Sequence, residues 1–306
     1  MFRFLKYLLI FLLPIILVAV VAECYMRNLP NEYAFKDQWM RENGKSVETL
    51  VIGSSKGYYG VRPQLLSSKA FNLSTISERP DYDCFLLEKF VDSCPKLKTI
   101  IYPVFYEMFV DPPFEECEEW PRATYFKLYM DCPYHSGLSK YAFEISSITA
   151  IGEKYRNYKD DGGLGCDSLG YGLHCKLRNP DMSESDWDEE AINAALRHTN
   201  PESEYKAYNY EYVSRFADIC NKKCLNLILV SFPCYNKYVE RFDKSQLDDF
   251  YKRINDVKTK YGAKFFDFMN DPRFVYDDFY DSNHLSQAGA DKFTIILDSI
   301  INSYKK

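Results

Sequence analysis

From Thr49 onward the chain alternates short apolar runs with stretches of helical periodicity. Residues 49–52, 70–73, 99–105, 225–232 and 264–268 are brief and rich in Val, Ile, Leu and Phe, the composition of strands buried on both faces of a parallel sheet. Between them, Pro80 with Asp81 and Asp83 marks a helix start, continued by Phe85, Leu86, Phe90 and Val91 until Cys94-Pro95 ends it. Asn200-Pro201-Glu202 opens a second helix, with Tyr205, Tyr208, Tyr212, Phe216 and Ile219 along one stripe; Ser245 opens a third and Ser286 the last. The alternation predicts a three-layer α/β/α domain over residues 48–306, a doubly wound parallel sheet of about five strands. After the third strand a long insertion, residues 107–199, far exceeds the usual two-to-six-residue connection and reads as a cap that shapes the substrate. Its many aromatic residues, Trp120, Tyr141 and Trp187 among them, read first as packing and second as platforms for sugar rings.

The amino terminus follows a different pattern. Residues 7–22 carry no charge and follow Arg3 and Lys6 with no acidic residue before them, the polarity of an export segment whose amino end stays inside. Residues 1–22 are read as a retained membrane anchor, with cleavage after Val20-Val21-Ala22 as the alternative, and residues 23–47 as a polar linker. The domain is then expected outside the cytoplasm. Over all 306 residues, hydrophobic and aromatic contents of 46% and 17% exclude a disordered chain, and a net charge of -6 argues against nucleic acid as a partner.

Ten cysteines in an exported chain invite disulfides. Cys166 with Cys175, which enclose a short Gly-rich segment, is the first pair to test, followed by Cys84 with Cys94 and Cys117 with Cys132. Cys220, Cys224, Cys234 and His174 lack the close paired spacing of a zinc site, so neither a metal nor another cofactor is expected.

Two short motifs at opposite ends of the domain carry the chemistry. Gly53-Ser54-Ser55 ends the first strand, and Asp281-Ser282-Asn283-His284 precedes the last helix. A serine hydroxyl is a poor nucleophile until a base takes its proton; a neutral imidazole can do so, and a carboxylate three residues away can fix the imidazole tautomer. Asp277 and Asp278 lack that three-residue offset and read as loop charges, while His135, His174 and His198 read as surface or structural residues. Gly53 through Gly57 formally matches G-x-S-x-G, yet a serine after the first strand, with acid and base on one loop, does not fit an α/β-hydrolase nucleophile elbow.

This order of motifs resembles the SGNH (GDSL-type) hydrolases, whose first motif is Gly-Asp-Ser and whose last is Asp-x-x-His near the carboxyl terminus. The resemblance implies a flavodoxin-like sheet, Ser55 as nucleophile, His284 as general base and later acid, and Asp281 as the group that orients His284. Ser54 stands where the family has Asp, and is read as a structural hydroxyl closing the turn. The family's oxyanion hole uses the nucleophile amide, a Gly amide after the second strand and an Asn side chain after the third. Here Asn72-Leu73-Ser74 follows the second strand and no Gly-x-Asn-Asp follows the third. The candidate oxyanion or binding residues are accordingly Ser74, Asn72 and Tyr106. An anchored, exported member of this kind is similar to bacterial proteins that add or remove acyl groups on cell-surface polymers. The expected activity is a serine esterase or O-acyltransferase for acyl, foremost acetyl, esters of surface polysaccharide, with a polytopic membrane acyltransferase as a partner if it transfers. A catalytically weak scaffold in surface-polymer assembly and a lipid or small-ester hydrolase are the alternatives.

Overall fold

A computed structural model of the chain describes residues 2–135, 137–177 and 183–304. In chain order its helices are α1 (Phe2–Asn28), α2 (Glu32–Asn43), α3 (Ser55–Gly60), α4 (Pro80–Phe90), α5 (Pro121–Tyr129), α6 (Ile148–Asp161), α7 (Glu184–Arg197), α8 (Lys206–Lys222), α9 (Asn236–Val239), α10 (Lys244–Tyr261) and α11 (Gln287–Ser303). The strands are β1 (Thr49–Val51), β2 (Ala70–Asn72), β3 (Thr99–Pro103), β4 (Asn226–Ser231) and β5 (Lys264–Asp267). The chain divides into two compact units, Met1–Gln38 with Phe114–Gly165 and Trp39–Pro113 with Cys166–Lys306.

The second unit holds the sheet. All five strands are parallel in the order β2-β1-β3-β4-β5, with Val51 paired to Asn72 on one side and Ile101 on the other. The chain moves one way from β1 to β2 and the other way through β3, β4 and β5. Right-handed crossovers therefore put α3 on one face and α4, α8 and α10 on the opposite face, and α4 packs on α8, α8 on α10, and α11 on α3. The α11 face of the core gathers Val51, Ile101, Val230, Phe293 and Leu297, all buried. The expected three-layer fold is thus the observed one. The predicted insertion is not one body: Trp187 joins this core, and the amide of Asn72 donates to Leu169 O at 2.9 Å, so residues after Cys166 belong to the sheet unit.

In the first unit, every apolar side chain of α1 from Phe2 to Val18 is exposed, although an 18-residue window has a mean hydropathy of 2.8. Its last turn behaves differently. Met26 and Leu29 are buried, the Glu23 carboxylate accepts the amides of Glu144 and Ile145 at 3.1 Å each, and Arg27 donates to Glu23 and to Ala142 O. Residues 32–43, expected within a linker, form α2, and Tyr33 packs edge-on against Phe126 with ring centroids 5.2 Å apart. Among the described cysteines Cys84, Cys94 and Cys175 are buried thiols, so the Cys84–Cys94 and Cys166–Cys175 pairs are not bonded here.

Candidate active site

The first turn after β1 is shaped by what crowds it. Gly53 has φ +146°, and a Cβ there would lie 2.9 Å from Pro103 Cδ, so only glycine lets the chain turn against the end of β3. At Gly57 a Cβ would come within 2.6 Å of Ser74 Oγ and 2.8 Å of Pro103 Cγ. These two close approaches seat α3 directly on the sheet edge and leave Ser55 at its first position, half-buried. In the observed strand order the chain reverses direction between β1 and β3, the crevice where open α/β sheets place their ligands.

The second motif reaches the same place from the other end of the chain. Phe279 bridges Leu285, and Tyr280 N donates to His284 O at 2.9 Å, closing a tight loop before Ser286 caps α11 by accepting from Gly289 N. Inside the loop Asp281 Oδ1 accepts the amides of Asn283 and His284 at 2.9 and 2.8 Å. That local turn sets the carboxylate against its own histidine.

His284 Nε2 lies 2.8 Å from Ser55 Oγ, and His284 Nδ1 lies 2.9 and 3.0 Å from the two Asp281 oxygens. With the proton on Nδ1 held by the carboxylate, Nε2 is left as the acceptor for the serine hydroxyl. Burial pushes the Asp281 carboxyl up, but the charge and hydrogen bond of His284, the Asn283 amide and Lys56 outweigh it and bring the pKa down to about 2. Tyr59 packs edge-on to the imidazole, centroids 5.7 Å apart.

The other sequence candidates are placed differently. Asn72 is fully buried, and its side chain donates to Gly57 O at 2.8 Å and Val61 O at 2.9 Å and accepts from Ser74 N at 3.1 Å. It binds the ends of α3 rather than a ligand, and it occupies the Ser74 amide that was to serve as oxyanion donor. The Tyr106 hydroxyl accepts from Asp243 N and contacts Thr199 Oγ1, both at 2.9 Å, while its ring stacks on Phe242. It therefore anchors the start of α10 and does not replace the missing Asn. Ser54 receives the Gly57 and Tyr58 amides through its carbonyl, and its hydroxyl makes no cap hydrogen bond, contrary to the turn-closing role expected of it. Asp278 accepts from Val275 N and Lys292, a structural task, and Asp277 is exposed. His135 pairs with Glu115, and exposed His174 contacts the Tyr280 hydroxyl.

Sequence reading missed a group of buried polar residues. Lys56, next to Ser55, is 5% exposed and donates to Asn283 O at 2.7 Å. Glu107 is buried near it: burial raises its carboxyl pKa, but His198, Lys56, its own amide and His284 together bring it below the ordinary value. The Tyr238 hydroxyl lies 2.6 Å from His198 Nδ1 and donates to Glu107 at 3.5 Å. A lysine beside a serine carries no sequence mark of burial, so this cluster had no pattern to announce it.

No protein-family profile matches the chain, and no curated protein does. Among solved structures it is similar to the esterase EstA from Pseudoalteromonas sp. (10% identity, 85% of this chain and 100% of that one, TM-score 0.42). It is also similar to a GDSL-like lipase from Bacteroides thetaiotaomicron (9%, 89% and 100%, 0.42) and a lipase/acylhydrolase from Enterococcus faecalis (10%, 84% and 96%, 0.41). Such distant likenesses assign no chemistry, which has to be read from the sheet order and the site geometry of the chain itself.

Proposed function

We propose that the protein is an SGNH-type serine ester hydrolase or O-acyltransferase, acting outside the cytoplasm on acyl, foremost acetyl, esters of cell-surface polysaccharide. The observation that carries this reading is the continuous hydrogen-bond chain Ser55–His284–Asp281, with 2.8 Å between hydroxyl and base and 2.9 Å between base and carboxylate. His284 Nε2 takes the Ser55 proton as Oγ attacks the ester carbonyl; the protonated imidazole, stabilised by Asp281, then protonates the leaving alkoxide. Water or a sugar hydroxyl, activated by the same imidazole, resolves the acyl-serine. The basic flank Arg3 and Lys6, the exposed apolar face of α1 and the packing of Met26 and Leu29 support a retained anchor with the sheet unit outside.

A second reading, a catalytically weak scaffold in polymer assembly, is favoured by two observations: the Asn72 side chain occupies the Ser74 amide, and the Tyr106 hydroxyl is engaged elsewhere. Removing one oxyanion donor lowers turnover by roughly a hundredfold to a thousandfold. Full-length protein in detergent micelles, treated with a fluorophosphonate probe, separates the two. Labelling that is lost in Ser55→Ala and His284→Ala supports the enzyme, and a wild-type protein that stays unlabelled favours the scaffold. Cleavage of p-nitrophenyl esters of increasing chain length then tests acetyl preference against a lipid esterase, and release against transfer to an added sugar tests direction.

A further inference from the structure

Lys56 follows the proposed nucleophile by one residue, yet its side chain is turned into the protein. Burying an ammonium is costly unless it is paired and hydrogen-bonded. Its Nζ donates to the Asn283 carbonyl at 2.7 Å. The Asn283 main-chain amide in turn donates to Asp281 Oδ1 at 2.9 Å. One side chain from α3 thus holds the residue immediately before His284 and, through it, the carboxylate that orients His284. The route crosses 227 residues of sequence in a single hydrogen bond.

We infer that Lys56 is a positioning residue, which braces the Asp281–His284 loop against the nucleophile helix. The inference rests on the proposed Ser55–His284 chemistry. Lys56 lines one cavity with Glu107, Cys234 and Tyr238, whose ring centroid is 5.8 Å from Nζ, while His284 faces Ser55, Asp281 and the edge of Tyr59.

The test is the rate of fluorophosphonate labelling, in full-length protein, for wild type, Lys56→Met and Lys56→Arg, with a thermal melt to establish folding. Lys56→Met is expected to label roughly ten- to a hundredfold more slowly, through lost orientation. Lys56→Arg, which keeps a charged donor for the Asn283 carbonyl, should label within about tenfold of wild type, an outcome readable even if Lys56→Met does not fold. A folded Lys56→Met that labels at the wild-type rate, or a folded Lys56→Arg that shows no recovery, overturns the role of Lys56 alone. A wild-type protein that never labels overturns the serine chemistry as well.

Discussion

Replacing Asn72 by Ala distinguishes a scaffold residue from an oxyanion donor. The fully buried Asn72 side chain makes three hydrogen bonds to main-chain groups, at 2.8, 2.9 and 3.1 Å. Alanine leaves Val61 O and Ser74 N without these partners in a dry interior and costs Gly57 O one of its two donors, the Val61 amide remaining at 3.2 Å. Each orphaned buried group costs roughly 1–3 kcal/mol. A water entering the vacated space recovers part of this, so the expected loss is about 3–5 kcal/mol, a large share of a typical stability of about 5–15 kcal/mol. Urea unfolding followed by circular dichroism measures it. Asn72→Asp should be at least as damaging above its pKa, because a carboxylate cannot donate to Gly57 O and Val61 O. A variant within about 1 kcal/mol of wild type would refute the accounting. Wild-type stability combined with labelling slowed a hundredfold or more would show instead that Asn72 acts on the oxyanion.

Two further predictions concern groups away from the site. Burial pushes the Asp83 carboxyl up to about 7 from an ordinary 3.8, against the hydrogen bonds from Glu78 and Tyr102. Its favourable contribution is therefore complete below 3.8 and lost as pH rises through 7, so Asp83→Asn should raise the melting temperature relative to wild type by more at pH 8 than at pH 5. A difference that shrinks with pH would contradict this. Glu23→Ala removes the acceptor of the Glu144 and Ile145 amides; hydrogen exchange at those two amides should accelerate by roughly ten- to a thousandfold, and unchanged protection would exclude the clasp.

β1 to β4 were legible because a strand buried on both faces has to be apolar throughout, and half-exposed β5 by its Phe265-Phe266 pair; each predicted run overlaps an observed strand. Ser55, Asp281 and His284 were legible by offset and order, and the chain brings them within hydrogen-bond reach. What escaped was polar burial. The inward stripe of α2 includes Lys36 and Asp37 beside Tyr33 and Met40, so charges interrupted the periodicity that would have revealed a helix in the expected linker. Lys56 and Glu107 were hidden for the same reason. Asn72 and Tyr106 were noticed for their position after a strand, but residue type and position do not say where a side chain's hydrogen bonds go. In both cases they go to the backbone of neighbouring elements.

The clasp at the foot of α1 fixes a distance. From Ala22 to Asn28 the helix continues without interruption, about 9 Å of rise, before the packed turn that begins at Met26 and Leu29 has closed. If residues 7–22 lie in a bilayer, the chain above them has no slack to pay out. The first unit is then held at headgroup height rather than swinging on a tether.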